Sequence, residues 1–319
     1  MTELPGPIHR PIQPILVVLV YRGGARFLRA LESIERSEHL FRRVIISVTG
    51  ANDGEDMRAA QSYVRARTVS GHPSKVEVIC SGVELKTMDH QRFWISYLEH
   101  TGGDPQDWIY WLAYDDQVRP RGIEQIIDGK GNWPLAQGTA YFGPWAMRHE
   151  QAGELWAGPS DEPLESWTSF PIPGPTRLPV AEWIADQLRQ PTYMQMTGSV
   201  TSFLSHQRLA STHLRKRGPM RIEMETAADI DNLFVAEFAE PVSIVYGRPN
   251  SDRASYGRSA RIEDLHMAAW LARYSSRHPS SFPTITRGMA SVASAYRRVI
   301  TKSGTLPQEK WVVRGTVEP

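Results

Sequence analysis

Cysteine is nearly absent: Cys80 is the one cysteine among 319 residues. That excludes an internal disulfide framework and zinc sites built from cysteines, and makes a reducing cytoplasm the natural compartment. Charge of one sign is also lacking. Lys and Arg number 36 against 35 Asp and Glu, a formal charge of +1, which gives no electrostatic case for nucleic acid as a partner. Long apolar runs are missing too. The longest early one, 15–20, is followed by Tyr21 and Arg22, far short of the roughly 20 residues of a transmembrane helix. The opening MTELPGPIHRPIQP is polar and proline-rich, unlike a signal peptide, and residues 1–13 are read as a leader. Internal repeats and low-complexity blocks are absent. So are the Gly-x-Gly-x-x-Gly turn of dinucleotide folds, a Walker loop, a Gly-x-Ser-x-Gly elbow and a His-x-x-x-His helix pattern for zinc.

What is present is globular. Apolar residues make up 41% and charged residues 22%, enough for a sizeable core and too apolar for a chain disordered as a whole. The first 130 residues alternate strand and helix signals. ILVVLV at 15–20 is a continuous apolar run, as in a strand buried on both faces. Gly23 and Gly24 follow, and then Phe27, Leu28, Leu31 and Ile34 recur at helical spacing. VIISV at 44–48 is a second strand, a helix is expected around 55–67, and KVEVIC at 75–80 is a third strand. Phe93, Trp94, Tyr97 and Leu98 mark a helix, and 108–113 is a fourth strand. Strands separated by single helices imply an α/β fold with a mostly parallel central sheet flanked by helices. Ligands of such sheets bind beyond the carboxyl ends of the strands, here just after residues 20, 48, 80 and 113.

Residues 129–179 are rich in Pro, Gly and Trp, with little periodicity, and read as a functional loop or lid. Trp133, Trp145, Trp156 and Trp167 lie there and offer either sugar-stacking faces or core packing. Helices are expected near 180–189, 202–216, 229–240, 261–274 and 289–301, and a short strand at 242–246. His266 reads as packed on its helix.

The sharpest local feature is Asp115-Asp116, at the end of the fourth strand in DWIYWLAYDDQVRP. Adjacent carboxylates repel unless a cation neutralises them, and hard ions such as Mg²⁺ take oxygen ligands and bridge to a diphosphate. A solvated turn before Pro120, with the acids capping the next helix, explains the same dipeptide.

The order of these segments resembles the GT-A glycosyltransferases of family 2. PILVVLVYRGGARFLRALESI matches their opening strand, turn and helix, and VIISVTGANDGED matches the second strand and its polar turn. DWIYWLAYDDQVRPRGIEQI matches the Asp-rich metal motif, and ADIDNLFVA at 228–236 matches a later acidic segment. The resemblance covers residues 14–246. It implies a GT-A catalytic domain at 14–250, with a nucleotide-sugar half at 14–128, an acceptor half at 129–250 and a C-terminal helical extension at 251–319. It implies an inverting, hexosyltransferase-type glycosyltransferase of polysaccharide or glycoconjugate biosynthesis that uses Mn²⁺ or Mg²⁺. The donor is a nucleoside-diphosphate sugar, and the acceptor a glycan, a lipid-linked molecule or a small molecule.

Carried over by position, Asp115 and Asp116 would hold the metal on the donor diphosphate, Asp115 also reaching the ribose. Gln117 stands where the family often has a third acid. Asp229 falls on the family's general base, with Ala228 in place of the preceding Glu; Glu225 is a rival base, and a helix N-cap is the plain reading of Asp229. Thr49 and Gly50 stand where an acid often reads the base, with Asn52 and Asp53 just beyond. Tyr21, beside Arg22, packs on the nucleobase or is a loop aromatic. Arg92 approaches the donor or is a surface arginine. Arg215, Lys216, Arg217 and Arg221 clamp phosphates or form a solvated helix end. YGRPNS offers Arg248 and Asn250 without the histidine found there in the family.

Two other readings share the scaffold: a non-catalytic nucleotide-sugar or carbohydrate-binding protein, and a sugar-1-phosphate nucleotidyltransferase, for which VYRGGAR is a thin match. The basic amphipathic segment 287–304 suits the inner face of a membrane, although docking on the catalytic body or on a second copy in a homo-oligomer is the preferred expectation.

Overall fold

The computed structural model describes residues 13–69, 75–127, 139–142, 145–149, 155, 168–169, 176–178, 199–211, 232–235, 243–247, 272, 274–283 and 286–287. Strand β1 (Ile15–Val20) leads into helix α1 (Gly24–Ser37), followed by β2 (Arg43–Val48), α2 (Glu55–Val69), β3 (Val76–Cys80), α3 (Thr87–His100) and β4 (Trp108–Ala113). A two-residue strand, β5 (Gln117–Val118), and α4 (Pro120–Ile127) come next. Pro120 opens α4 at the position where proline's missing N–H costs nothing. Later come β6 (Thr139–Phe142), β7 (Trp145–His149), β8 (Thr168–Ser169), β9 (Thr176–Leu178), β10 (Ser199–Ser202), α5 (Phe203–Ser211), β11 (Asn232–Val235) and β12 (Ser243–Gly247).

The larger sheet runs β3-β2-β1-β4-β10-β6-β11-β9, and the smaller one β5-β12-β7-β8. β1 pairs in parallel with both β2 and β4, and β2 with β3. The α/β class and the parallel first half expected from the sequence are therefore observed. β10 then runs antiparallel between β4 and β6.

All six residues of β1 are buried, because the strand is covered on both faces. Leu16, Val18 and Val20 pack with Phe27, Leu31 and Ile34 of α1. Ile15, Val17 and Leu19 pack with Trp94 and Leu98 of α3 and Phe203 of α5. Each such side chain contributes roughly 1.5–3 kcal/mol relative to exposure, which makes β1 the spine of the fold. Among the described residues, no helix is long and apolar enough to cross a membrane.

Two expectations are corrected. The segment 229–240 is not one helix: Asn232–Val235 is strand β11, paired in parallel with β6 and antiparallel with β9. Its acidic start resembled a helix cap, but Leu233, Phe234 and Val235 suit a pleated surface, and the two-sided pairing overrides the local signal. Residues 129–179 are not uniformly irregular, since they hold β6 to β9. Strands of two to five residues are too short to show a period. The expected helix at 202–216 is observed as Phe203–Ser211. The helices expected at 180–189 and 289–301 lie outside the described residues, as do Trp133, Trp156, Trp167 and His266.

Candidate active site

The four parallel strands end together. Val20 is in register with Val48, Val48 with Cys80, and Leu19 with Ala113. Residues 21–24, 49–54, 81–86 and 114–116 therefore form one rim at the carboxyl edge.

Asp115 and Asp116 lie where the chain crosses between sheets, leaving the larger one at Ala113 and entering the smaller at Gln117. The crossing is anchored at both ends. Tyr114 N–H donates to the Leu19 carbonyl, and Asp116 N–H to the Ala113 carbonyl, both at 3.1 Å. The next four residues are held one by one. Arg29 Nη2 donates to the Asp115 carbonyl at 2.7 Å. Tyr246 N–H donates to Asp116 Oδ1 at 3.3 Å, and the Tyr246 hydroxyl to Gln117 Oε1 at 2.5 Å. Val118 N–H donates to Ser33 Oγ at 3.1 Å. Arg29 and Ser33, four apart, share a face of α1, and both are buried. The Arg29 guanidinium lies 3.5 Å from the centroid of the Tyr246 ring, a close cation–π stack.

The two carboxylates are thereby made different. Asp116 is only 3% exposed and faces β12, whereas Asp115 is partly exposed on the rim. Neither is placed to cap the next helix, because β5 and Arg119 intervene before Pro120. A nearby phenol feels the same environment: burial raises the pKa of Tyr110, with the Asp116 charge acting in the same direction.

The donor set fits a small hard cation. Among the described residues no group of three His, Cys, Asp or Glu could hold a metal. Mg²⁺-type ions are commonly bound through only one or two carboxylates, with water and substrate phosphates completing the shell. Asp115, with Asp116 behind it, supplies that kind of partial set.

The other sequence-predicted residues fall into three groups. Some stand on the rim. Tyr21 is 40% exposed, with the Arg22 guanidinium 5.2 Å from its ring centroid. Arg22 sits at φ 51°, uncommon for a residue with a side chain. Its Nε and Nη2 both donate to Glu84 Oε1, at 3.1 and 2.7 Å, tying the segment after β1 to the one after β3. Asn52 and Asp53 are exposed on the turn after β2.

Others are committed to structure. Thr49 is buried; its hydroxyl donates to the Val83 carbonyl at 3.1 Å and accepts from Leu85 N–H at 2.5 Å. It shapes the rim by fastening two loops. Arg92 gives Nε to the Ala210 carbonyl at 3.1 Å and Nη1 to Asp89 Oδ1 at 3.0 Å, which docks α5 on α3. The third group, Asp229, Glu225, Arg215, Lys216, Arg217, Arg221, Arg248 and Asn250, lies outside the described residues.

Sequence reasoning missed Arg29, Ser33, Tyr246, Asp56 and Glu84. Asp56 bridges Gly23 N–H at 2.8 Å and Gly24 N–H at 2.9 Å, supplying the anion that the start of α1 favours. The available signal for Arg29 was the spacing Arg29, Ser33, Ser37 beside the apolar face of α1: three polar residues in one row, all buried.

Two buried histidines belong to the supporting layer. His90 Nε2 lies 2.9 Å from Ser47 Oγ and 3.1 Å from the Ser47 carbonyl oxygen. A carbonyl can only accept, which puts the ring proton on Nε2. Burial lowers its pKa to about 4. His206 Nε2 meets Thr201 Oγ1 at 2.5 Å, its ring stands edge-on to Trp94 at 5.1 Å, and burial lowers its pKa to about 3. Both are neutral packing groups at pH 7.

No protein-family model matches the chain, and no curated protein sequence matches it. Among solved structures it is similar to TarS of S. aureus, at 9% identity and a TM-score of 0.45, over 74% of this chain and 37% of that one. A structure of TarS 1-349 in complex with UDP gives 9% identity and a TM-score of 0.44, over 90% of this chain and 92% of that one. 4-diphosphocytidyl-2C-methyl-D-erythritol synthase gives 11% and 0.38, over 72% and 90%. The mannosyltransferase PcManGT from Pyrobaculum calidifontis, in complex with GDP-Man and Mn2+, gives 12% and 0.44, over 95% and 79%. The chain thus spans little more than a third of the length of the full TarS chain.

Proposed function

We propose that this chain is a glycosyltransferase that moves a sugar from a nucleoside-diphosphate donor to an acceptor hydroxyl with inversion. The observation that carries the reading is the Asp115–Asp116 crossing at the carboxyl edge of a parallel sheet. One carboxylate there is turned inward and one is partly exposed on the rim. That edge is where α/β sheets bind ligands, and an oxygen-only donor set suits a diphosphate-bound divalent cation.

In this reading residues 14–128 bind the donor, 129–250 bind the acceptor, and 251–319 form a helical extension. Asp115 and Asp116 would hold Mn²⁺ or Mg²⁺, which when bound would supply positive charge against the departing diphosphate. Tyr21 offers a ring face to the nucleobase, with Arg22, Asn52 and Asp53 around it. Thr49, on the turn after β2, lines the base site, and Arg92 approaches the donor diphosphate. Asp229, or Glu225 in its place, takes the proton of the attacking hydroxyl. A single displacement from the face opposite the leaving group inverts the anomeric centre. The reaction belongs to the cytoplasm, at the inner face of a membrane if the acceptor is lipid-linked.

The test is donor turnover. The protein is incubated with a panel of nucleoside-diphosphate sugars, with Mn²⁺, with Mg²⁺ or with EDTA. Metal-dependent release of the nucleoside diphosphate supports the reading, and no release from any donor contradicts it.

A further inference from the structure

We infer that Arg29 is the positioning residue of this site: stacked on Tyr246, it fixes the backbone from which the Asp115 carboxylate projects, without touching donor or metal. The inference rests on the function proposed above. Residues 115–118 are held from two elements: by the side chains of Arg29 and Ser33 on α1, and by the backbone N–H and the hydroxyl of Tyr246 on β12. The bonds to the Asp115 carbonyl and the Val118 N–H fix the backbone at the two ends of the tetrapeptide, and those from Tyr246 hold the side chains of Asp116 and Gln117 between them. A crossing of three residues between sheets has little stiffness of its own. An aliphatic residue at position 29 would pack α1 equally well. A buried guanidinium is costly unless it is compensated, and here the Asp115 carbonyl and the Tyr246 ring face compensate it. Lysine cannot reproduce this role, because only the planar guanidinium stacks on a ring and directs an N–H edgewise.

The variants are Arg29→Lys and Tyr246→Leu, which removes the ring that Arg29 stacks on and keeps the backbone N–H on Asp116. Hydrogen exchange of residues 114–118 is measured on the unliganded protein. Binding of UDP, GDP, CDP, ADP and dTDP is measured by calorimetry with and without Mn²⁺. Arg29→Lys should speed exchange across 114–118 and weaken Mn²⁺-dependent binding by about 10- to 100-fold, the range for groups that orient metal ligands, with Mn²⁺-independent binding unchanged. Tyr246→Leu should change both in the same direction, because Arg29 loses the face that orients it, and it decides the matter alone if Arg29→Lys does not fold.

Unchanged affinity, with or without faster exchange, leaves Arg29 a purely structural role and overturns the inference while the proposed function stands. A wild-type protein that binds none of these nucleotides with Mn²⁺ overturns the proposed function and the inference with it.

Discussion

Lowering the pH should destabilise this protein through two identifiable groups. His90 packs over Ser47 of β2, and His206 over Thr201 of β10, both neutral in the fold. Burial lowers their pKa values from 6.5 to about 4 and about 3. Because both folded values lie below the ordinary one, the unfolded chain binds more protons across the interval. Stability is therefore complete above pH 6.5 and falls as the pH drops toward 4 for His90 and toward 3 for His206. At pH 5 linkage gives a loss of about 2 kcal/mol for each, about 4 kcal/mol together, against a typical total of roughly 5–15 kcal/mol. With a urea dependence near 3 kcal/mol per molar, the midpoint should fall by about 1.3 M between pH 7.5 and pH 5. Carboxylates titrate in part of this range, so the comparison that isolates the histidines is with His90→Gln/His206→Gln. That variant should be less stable at pH 7.5 yet lose much less on acidification. An equal fall in its midpoint would show that His90 and His206 do not carry the acid sensitivity.

Thr49→Val should cost about 1–3 kcal/mol, the penalty of an orphaned buried donor. Leu85 N–H loses its acceptor, while Gly50 N–H at 3.0 Å keeps the Val83 carbonyl paired; urea unfolding reads the loss, and a change below about 0.5 kcal/mol contradicts the fastening role. Gly23→Ala should destabilise by about 1–3 kcal/mol, because a Cβ there would lie 2.6 Å from Phe27 Cβ and 3.2 Å from Tyr114 Cδ2; a thermal midpoint equal to wild type would show that α1 shifts freely. Asp229→Asn should lower turnover by about 10²- to 10⁴-fold with donor affinity nearly unchanged. Glu225→Gln should do less, and the reverse order in steady-state kinetics would give Glu225 the role.

The strands of the first half could be read from sequence because both faces of the sheet are covered. That demand writes itself as unbroken apolar runs such as 15–20, all buried. In the second half the helix at 203–211 and the strand at 243–247 were legible too, but β6 to β11 were not, because strands of two to five residues carry no period and β11 is fixed by its neighbours β6 and β9. The place of Asp115–Asp116 was legible, because the apolar run 108–113 marks the strand that they follow. Their support was not. Arg29 reaches Asp115 across 86 positions, and Tyr246 reaches Asp116 across 130, distances over which one sequence shows no pairing. The bonds of Thr49 to Val83 and Leu85, 34 and 36 positions on, were equally out of reach of one sequence.

The most direct measurement is calorimetry of nucleoside-diphosphate binding to the wild type and to Asp115→Asn, with and without Mn²⁺. Asp115 is partly exposed and is held through its backbone carbonyl, so the variant should keep its fold, checked by its thermal midpoint. Mn²⁺-dependent binding is expected in the wild type, with its loss in Asp115→Asn. Equal Mn²⁺-dependent affinity in a folded Asp115→Asn, or no nucleotide binding by the wild type, would contradict this expectation.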